Sequence, residues 1–199
     1  MSKDWTGNKA TTWVTLGASN HVDHERAEHD YYATEPKAGE ELLKLEPEID
    51  KIWECAVGGG HLAQVFDKAG KLSRISDIVK RYEDDRFLNI DFLNYNTPYY
   101  GSIVTNPPYK YALGFTKKAL SLIDEGKYVA MFLKLTFLEG KERRKFFEEY
   151  PPIRIWVSSS RLKCALNGEF DKTGSSAACY AWFIWQKGFK GKPTIGWFN

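Results

Sequence analysis

From Ile52 to Leu62 the chain reads Ile-Trp-Glu-Cys-Ala-Val-Gly-Gly-Gly-His-Leu: an apolar strand closed by an acid, a glycine-rich turn, and the start of a helical pattern. Repeated, such strand-turn-helix units build a parallel sheet covered by helices. The glycines let the backbone approach a ligand closely, and the helix N-terminus that follows favours a polar or anionic group. A phosphate loop is ruled out, because neither Gly-Lys-Ser nor Gly-Lys-Thr follows. The dinucleotide pattern G-x-G-x-x-G is met in its tolerated form by Gly58, Gly60 and Ala63, so dinucleotide binding stands as a second reading.

The alternation continues along the chain. Periodicity predicts a helix from about Lys37 to Leu45, a helix from His61 to Lys68, and strands near 72 to 76 and 102 to 105. Phe115 to Ile123 reads as a helix, Tyr128 to Leu133 as a buried strand and Glu139 to Glu149 as a charged helix. Ile153 to Val157 and Cys179 to Trp185 read as late strands; no helix-length pattern separates them, so they are expected to pair antiparallel.

Directly after the apolar run Ile103-Val104-Thr105 stands Asn106-Pro107-Pro108-Tyr109. Each proline fixes φ and lacks an N–H, and the residue before a proline is pushed away from helix, so Asn106 is held extended at a strand end. Its side-chain oxygen can accept a hydrogen bond from an amino group, and the Pro107 carbonyl can accept a second. Tyr109 offers a face on which an extruded base can lie. These parts suit methyl transfer to a planar nitrogen. The bland reading is a proline-rich turn ending a strand.

Two further acids follow at strand ends. Asp77, in Ser76-Asp77-Ile78, lies about twenty residues beyond the glycines, where such folds hold ribose hydroxyls. Asp91 can accept from an adenine amino group, and Phe92 can pack on the ring. Taken singly, each acid reads as a solvated strand-end residue; together they outline a nucleoside pocket.

With these residues assembled, nearly the whole chain resembles the S-adenosylmethionine-dependent amino-methyltransferases, especially the small phage and prophage type adenine-N6 DNA methyltransferases. Glu54-Cys55-Ala56-Val57-Gly58-Gly59-Gly60 resembles motif I, Asp77 the motif II acid, Asp91-Phe92 motif III, and Asn106 to Tyr109 the catalytic motif IV. Asp30-Tyr31-Tyr32-Ala33-Thr34-Glu35-Pro36 resembles the motif X segment. Val57 departs from the small or polar residue of many relatives, which leaves backbone contacts at that turn. The resemblance implies an α/β, Rossmann-like class I methyltransferase sheet of seven strands, mostly parallel with an antiparallel edge hairpin. It implies S-adenosylmethionine as cofactor, with Glu54 at the amino end, Asp77 on the ribose, and Asp91 with Phe92 at the adenine. Tyr31, Tyr32 and Thr34 would lie against the methionyl side, and Ala56, Gly58, Gly60, Ile78 and Asn106 would complete that pocket.

The segment from Ser158 to Ala178 is long, polar and glycine-containing. It is expected to form a substrate lip, with Arg161 and Lys163 meeting phosphate and Asn167 and Phe170 seating a flipped base; disorder without function is the competing reading. The stretch Thr11 to Asp30 is expected to fold over the cofactor.

Charge is uneven. Residues 1 to 108 carry 12 basic and 18 acidic side chains, and residues 109 to 199 carry 16 and 8, so the halves stand at −6 and +8. A basic half after motif IV is what a polyanion needs, with Lys117, Lys118, Lys141, Arg143, Arg144 and Lys145 as phosphate contacts; a merely basic soluble surface is the alternative. With 199 residues and 43% hydrophobic content the chain can build one substantial core, so a single domain without a separate target-recognition domain is expected. The polar start Met1-Ser2-Lys3-Asp4 and the lack of a span-length apolar stretch point to the cytoplasm. Cys55, Cys164 and Cys179 are odd in number and unpaired in spacing, which indicates buried reduced thiols. His21, Asp23, His24, Glu25 and His29 invite a metal reading, but His21 and His24 are not an i, i+4 pair, and no metal is expected.

The expectation is thus transfer of a methyl group to the N6 amino nitrogen of adenine in DNA, with Asn106, Pro107, Pro108 and Tyr109 as the catalytic set. RNA bases and protein glutamine amides share the planar nitrogen and stay open. So does an inactive nucleic-acid-binding module, and a homodimer is one way to supply sequence specificity. An NAD(P) oxidoreductase lacks a Tyr-x-x-x-Lys or metal set beside the glycines.

Overall fold

The computed structural model describes residues 32–171 and 178–199. Strands and helices follow in the order β1 (Tyr32–Thr34), α1 (Pro36–Leu45), β2 (Ile52–Glu54), α2 (His61–Lys68), β3 (Leu72–Asp77), β4 (Phe87–Asn89) and β5 (Ser102–Thr105). Next come α3 (Ala112–Leu122), β6 (Tyr128–Lys134), α4 (Lys141–Glu149), β7 (Arg154–Ser158), β8 (Cys164–Leu166), β9 (Tyr180–Gln186) and β10 (Thr194–Phe198).

Among the described residues the main sheet holds eight strands in the order β10-β7-β9-β6-β5-β2-β3-β4, all parallel except β9, which runs antiparallel to both β6 and β7. The expected antiparallel pairing of the late strands is present. It sits inside the sheet, because β9 inserts beside β6 and β10 adds an eighth, parallel strand outside β7.

The central strands are buried on both faces, and alternation sorts their side chains. Ile103, Val129, Met131, Leu133, Phe183 and Trp185 join Trp53, Phe92 and Phe115 on one side. Val104, Ala130, Phe132, Trp182 and Ile184 join Leu42, Leu62 and Phe66 of α1 and α2 on the other. The indole of Trp182 also donates to the Ala38 carbonyl at 2.8 Å, tying α1 to the sheet. Beneath α1's end, the fully buried Glu46 accepts from the Arg154 guanidinium and from the Trp156 indole, so its charge is paired.

Two outcomes of this arrangement place the site. The chain runs β2, β3, β4 outward, then returns to lay β5 on the other side of β2; ligands of such sheets bind outside the carboxyl ends at this reversal. The turn after β2 and Asn106 after β5 therefore meet there. Second, the expected lip is not structureless: Cys164–Leu166 form β8, paired antiparallel with β1 in a separate two-stranded ribbon. Leu162, Cys164 and Ala165 are buried, and apolar burial orders a segment that its flanking polar residues concealed. Among the described residues, no helix is long and apolar enough to cross a membrane.

Candidate active site

A cavity of about 460 Å³ opens at the strand reversal, within the roughly 300–1,000 Å³ of small-molecule and cofactor sites. Its wall holds the expected Tyr32, Thr34, Glu54, Ala56, Gly58, Asp77, Ile78, Asp91, Phe92, Asn106, Pro107, Pro108 and Tyr109. Tyr31 and the histidine-rich stretch from His21 to His29 lie outside the described residues.

The turn after β2 is fixed by its acids. Asp77 at the end of β3 accepts from the Gly58 N–H at 2.9 Å and the Val79 N–H at 3.2 Å, which locks the glycine turn beside the next strand end. Glu54 is buried and its Oε2 has no partner among the described residues. Burial, then the neighbouring Asp77 charge, hold its carboxyl well above the usual range, while the Ala63 N–H at the start of α2 pulls it back. Gly60 stands apart from the expected set: it does not line the cavity. It turns the chain into α2 at φ +81°, and the Tyr82 ring fills the space a Cβ would take.

Glu54 sets a pH dependence. Between the ordinary carboxylate value of 4.5 and its raised folded value, the folded protein keeps a proton the unfolded chain has released, so stability falls as pH rises through that window. Glu54→Gln is expected to flatten this slope and raise the melting temperature of the cofactor-free protein at pH 8 relative to wild type, with little change at pH 4.5. Melting curves across pH 4.5 to 8 check it; equal slopes for both proteins would remove Glu54 as the cause.

Asp91 caps the short 3-10 turn Phe92–Asn94, accepting from the Leu93 N–H and the Asn94 amide. Phe92 is core as well as wall, stacked on Phe115 at 5.0 Å and edge-on to Trp53. Ile78, by contrast, is 58% exposed and gives the cavity wall an apolar plate.

Asn106 shows the sharpest geometry. Its Nδ2 donates to the Tyr32 carbonyl at 3.0 Å and to Thr34 Oγ1 at 2.8 Å, and its buried Oδ1 has no partner among the described residues. Tyr109 directs its hydroxyl inward, donating to the Tyr180 hydroxyl at 3.2 Å, and burial pushes its phenol pKa up. Its ring meets Tyr32 at 5.8 Å and the Lys134 ammonium at 4.7 Å.

The remaining residues take the following places. His61 lines the cavity with its Nδ1 buried and without a partner among the described residues, and burial lowers its pKa, favouring the neutral ring. Phe170 packs edge-on to His61 at 5.3 Å. Arg143, Arg144, Arg161, Lys163 and Asn167 are outside the cavity wall. Arg143 lies over Phe137 and Arg144 pairs with Glu148 along α4, while the Lys163 ammonium donates to the Phe170 carbonyl. Asn167 adopts the left-handed conformation in the turn after β8. The three thiols are free, but Cys179 is exposed. No group of metal-binding side chains occurs among the described residues.

Sequence reasoning missed Arg81, Tyr111 and Lys134. Arg81 and Tyr111 line the cavity, and Lys134 ends β6 beside Tyr109. For Lys134 the available signal was the one that found the acids, a polar residue closing an apolar strand at the sheet's carboxyl edge; Arg81 and Tyr111 stand beyond their strand ends and carried no such mark.

No protein-family model and no curated protein sequence matches the chain. Solved structures do match its fold. One, from Pyrococcus horikoshii, is provisionally classed as an RNA methyltransferase; at 14% identity it aligns over 92% of this chain and 100% of its own, with a TM-score of 0.56. An S-adenosylmethionine-dependent O-methyltransferase from Thermotoga maritima aligns at 16% identity over 79% of this chain and 67% of its own, TM-score 0.51. The type IIG restriction endonuclease BpuSI aligns at 13% identity over 83% of this chain but 26% of its own, TM-score 0.58. The fold is that of the class I methyltransferases.

Proposed function

We propose that this chain is an S-adenosylmethionine-dependent methyltransferase that modifies the N6 amino group of adenine in DNA. The observation that carries the reading is the Asn106 amide: both its donors are taken, and its bare Oδ1 stands in the wall of the cavity that also contains Glu54 and Asp77. An amino group is the ligand that such an acceptor satisfies.

The residues present fit the cofactor. Asp77 can accept from ribose hydroxyls while it holds the glycine turn, and Asp91 and Ile78 stand where an adenine would lie. Glu54 Oε2 is an unsatisfied buried acceptor for the amino end. S-adenosylmethionine supplies an electrophilic methyl group and leaves as a neutral thioether. The chain's part is positioning: Asn106 Oδ1 and the Pro107 carbonyl orient the amino protons so that the nitrogen lone pair points at the methyl carbon. With the cofactor bound, the amino nitrogen would form its N–C bond as the methyl's S–C bond broke, and the extra proton would depart to water. The cavity's apolar walls strip water from the reacting atoms.

The +8 charge of residues 109 to 199 supports a polyanionic substrate. The exposed Pro108 and Tyr111 at the cavity give an extruded base flat surfaces to meet. A homodimer is one route to sequence specificity. RNA is the second substrate reading, favoured by the full-length fold match to the Pyrococcus protein. Calorimetry with S-adenosylmethionine, followed by mass analysis of mixed-sequence DNA and RNA incubated with protein and cofactor, tests all of this. N6-methyladenine in DNA supports the reading; methylation of RNA alone, or cofactor binding without transfer, refutes the assigned substrate.

A further inference from the structure

A side-chain amide has two ends of similar shape and opposite hydrogen-bonding character, so a half-turn exchanges an acceptor for a donor at little steric cost. A site that depends on the oxygen must therefore prevent that half-turn. At Asn106 the prevention comes from β1. The Tyr32 carbonyl only accepts, so reversing the amide would set oxygen against oxygen, and the Thr34 hydroxyl takes the second N–H at 2.8 Å. Thr34 is itself buried.

β1 is held in turn by β8, with Tyr32 opposite Leu166, Ala33 opposite Ala165 and Thr34 opposite Cys164. The Glu35 N–H donates to the Lys163 carbonyl and the Lys163 N–H to Glu35 Oε2, both at 3.1 Å, extending the ribbon by one residue. The segment after Ser158 thus supports the strand that orients the amide.

We propose that Thr34 is a positioning residue for methyl transfer: its hydroxyl takes one N–H of the Asn106 amide and holds it in the orientation that the Tyr32 carbonyl selects, with Oδ1 toward the acceptor amino group. The proposal rests on the amino-methyltransferase reading above. Its own test needs a readout that does not.

The first readout is the Asn106 side-chain NH2 in nitrogen-proton spectra, identified by its loss in Asn106→Ala. Both protons are expected to exchange slowly with water in the wild type, about tenfold faster or more in Thr34→Val and Thr34→Ala, and slowly again in Thr34→Ser, because a lost partner opens the amide to solvent. Fast exchange in the wild type overturns the lock with no variant needed. The second readout is single-turnover methylation of mixed-sequence DNA. At saturating S-adenosylmethionine, Thr34→Val is expected to slow it by about ten- to a hundredfold, the scale of a misplaced reacting group. Thr34→Ser is expected to recover most of the loss. Unchanged exchange and rate in Thr34→Val, or a Thr34→Ser protein as impaired as Thr34→Val, overturns the proposal. If the wild type methylates no DNA while the exchange pattern holds, the substrate reading fails and the lock stands.

Discussion

Asn106→Ala is expected to slow methyl transfer in a single turnover by about 10²–10³-fold, the loss seen when one preorganised hydrogen-bonding group is removed from a reacting centre. Cofactor affinity is expected to change much less, because the glycine turn that Asp77 pins does not depend on the amide. Truncation also strands Thr34 Oγ1 and the Tyr32 carbonyl, so the folded protein loses about 1–3 kcal/mol if water does not reach them. The rates are therefore compared well below the variant's melting temperature. Calorimetric cofactor titration beside mass detection of N6-methyladenine separates the two effects. Methylation within a few-fold of wild type would show that another group orients the amino nitrogen.

The same site shows which parts of a fold can be read locally. The helix His61–Lys68 and the strand Ser102–Thr105 lie where periodicity predicts them, since each apolar run is bounded by glycines or prolines that end it. Three-residue strands are too short to show alternation: β2 is legible only through the glycine-rich turn that follows it, and β1, β4 and β8 do not read as strands. β1 and β8 acquire their meaning from each other across more than a hundred residues, and with them goes the orientation of Asn106. β10 is a second case: Gly196 sits inside a strand because any side chain there would strike the Trp156 ring on β7, a constraint invisible without the partner. The start of α3 at Ala112, ahead of the predicted Phe115, reflects a turn of Tyr109–Tyr111 that feeds the chain directly into the helix.

The acids at strand ends were legible because a charge that closes an apolar run is conspicuous, and the sheet gathers such ends at one edge. The placement of the basic residues was not. Their number in the second half states a net charge but not its place: on α4, Arg143 is half-buried over an aromatic ring and Arg144 is exposed and pairs with Glu148. Composition fixes the sign of a surface and leaves its location to the packing.

Asp77→Ala is expected to weaken S-adenosylmethionine binding by about a hundredfold or more. Hydrogen bonds to a charged group contribute about 1.5–3 kcal/mol each, and this carboxylate is placed to receive ribose hydroxyls while it already holds the Gly58 and Val79 N–H groups. Loss of the side chain removes the ligand and loosens the turn at once. Asp77→Asn separates the two: it keeps the volume and one acceptor, yet turns a donor toward either a backbone N–H or the ribose, so its affinity is expected to fall between alanine and wild type. Neutralising Asp77 also removes the second cause that raises the Glu54 carboxyl. The folded Glu54 then releases its proton at lower pH, the window between unfolded and folded values narrows, and less stability is lost on going from pH 4.5 to 8. Melting curves of Asp77→Asn against pH are expected to be shallower than wild type and steeper than Glu54→Gln, because burial still acts on Glu54. Cofactor affinity within threefold of wild type would remove Asp77 from the binding site, and an unchanged pH slope would separate the two acids that the turn brings together.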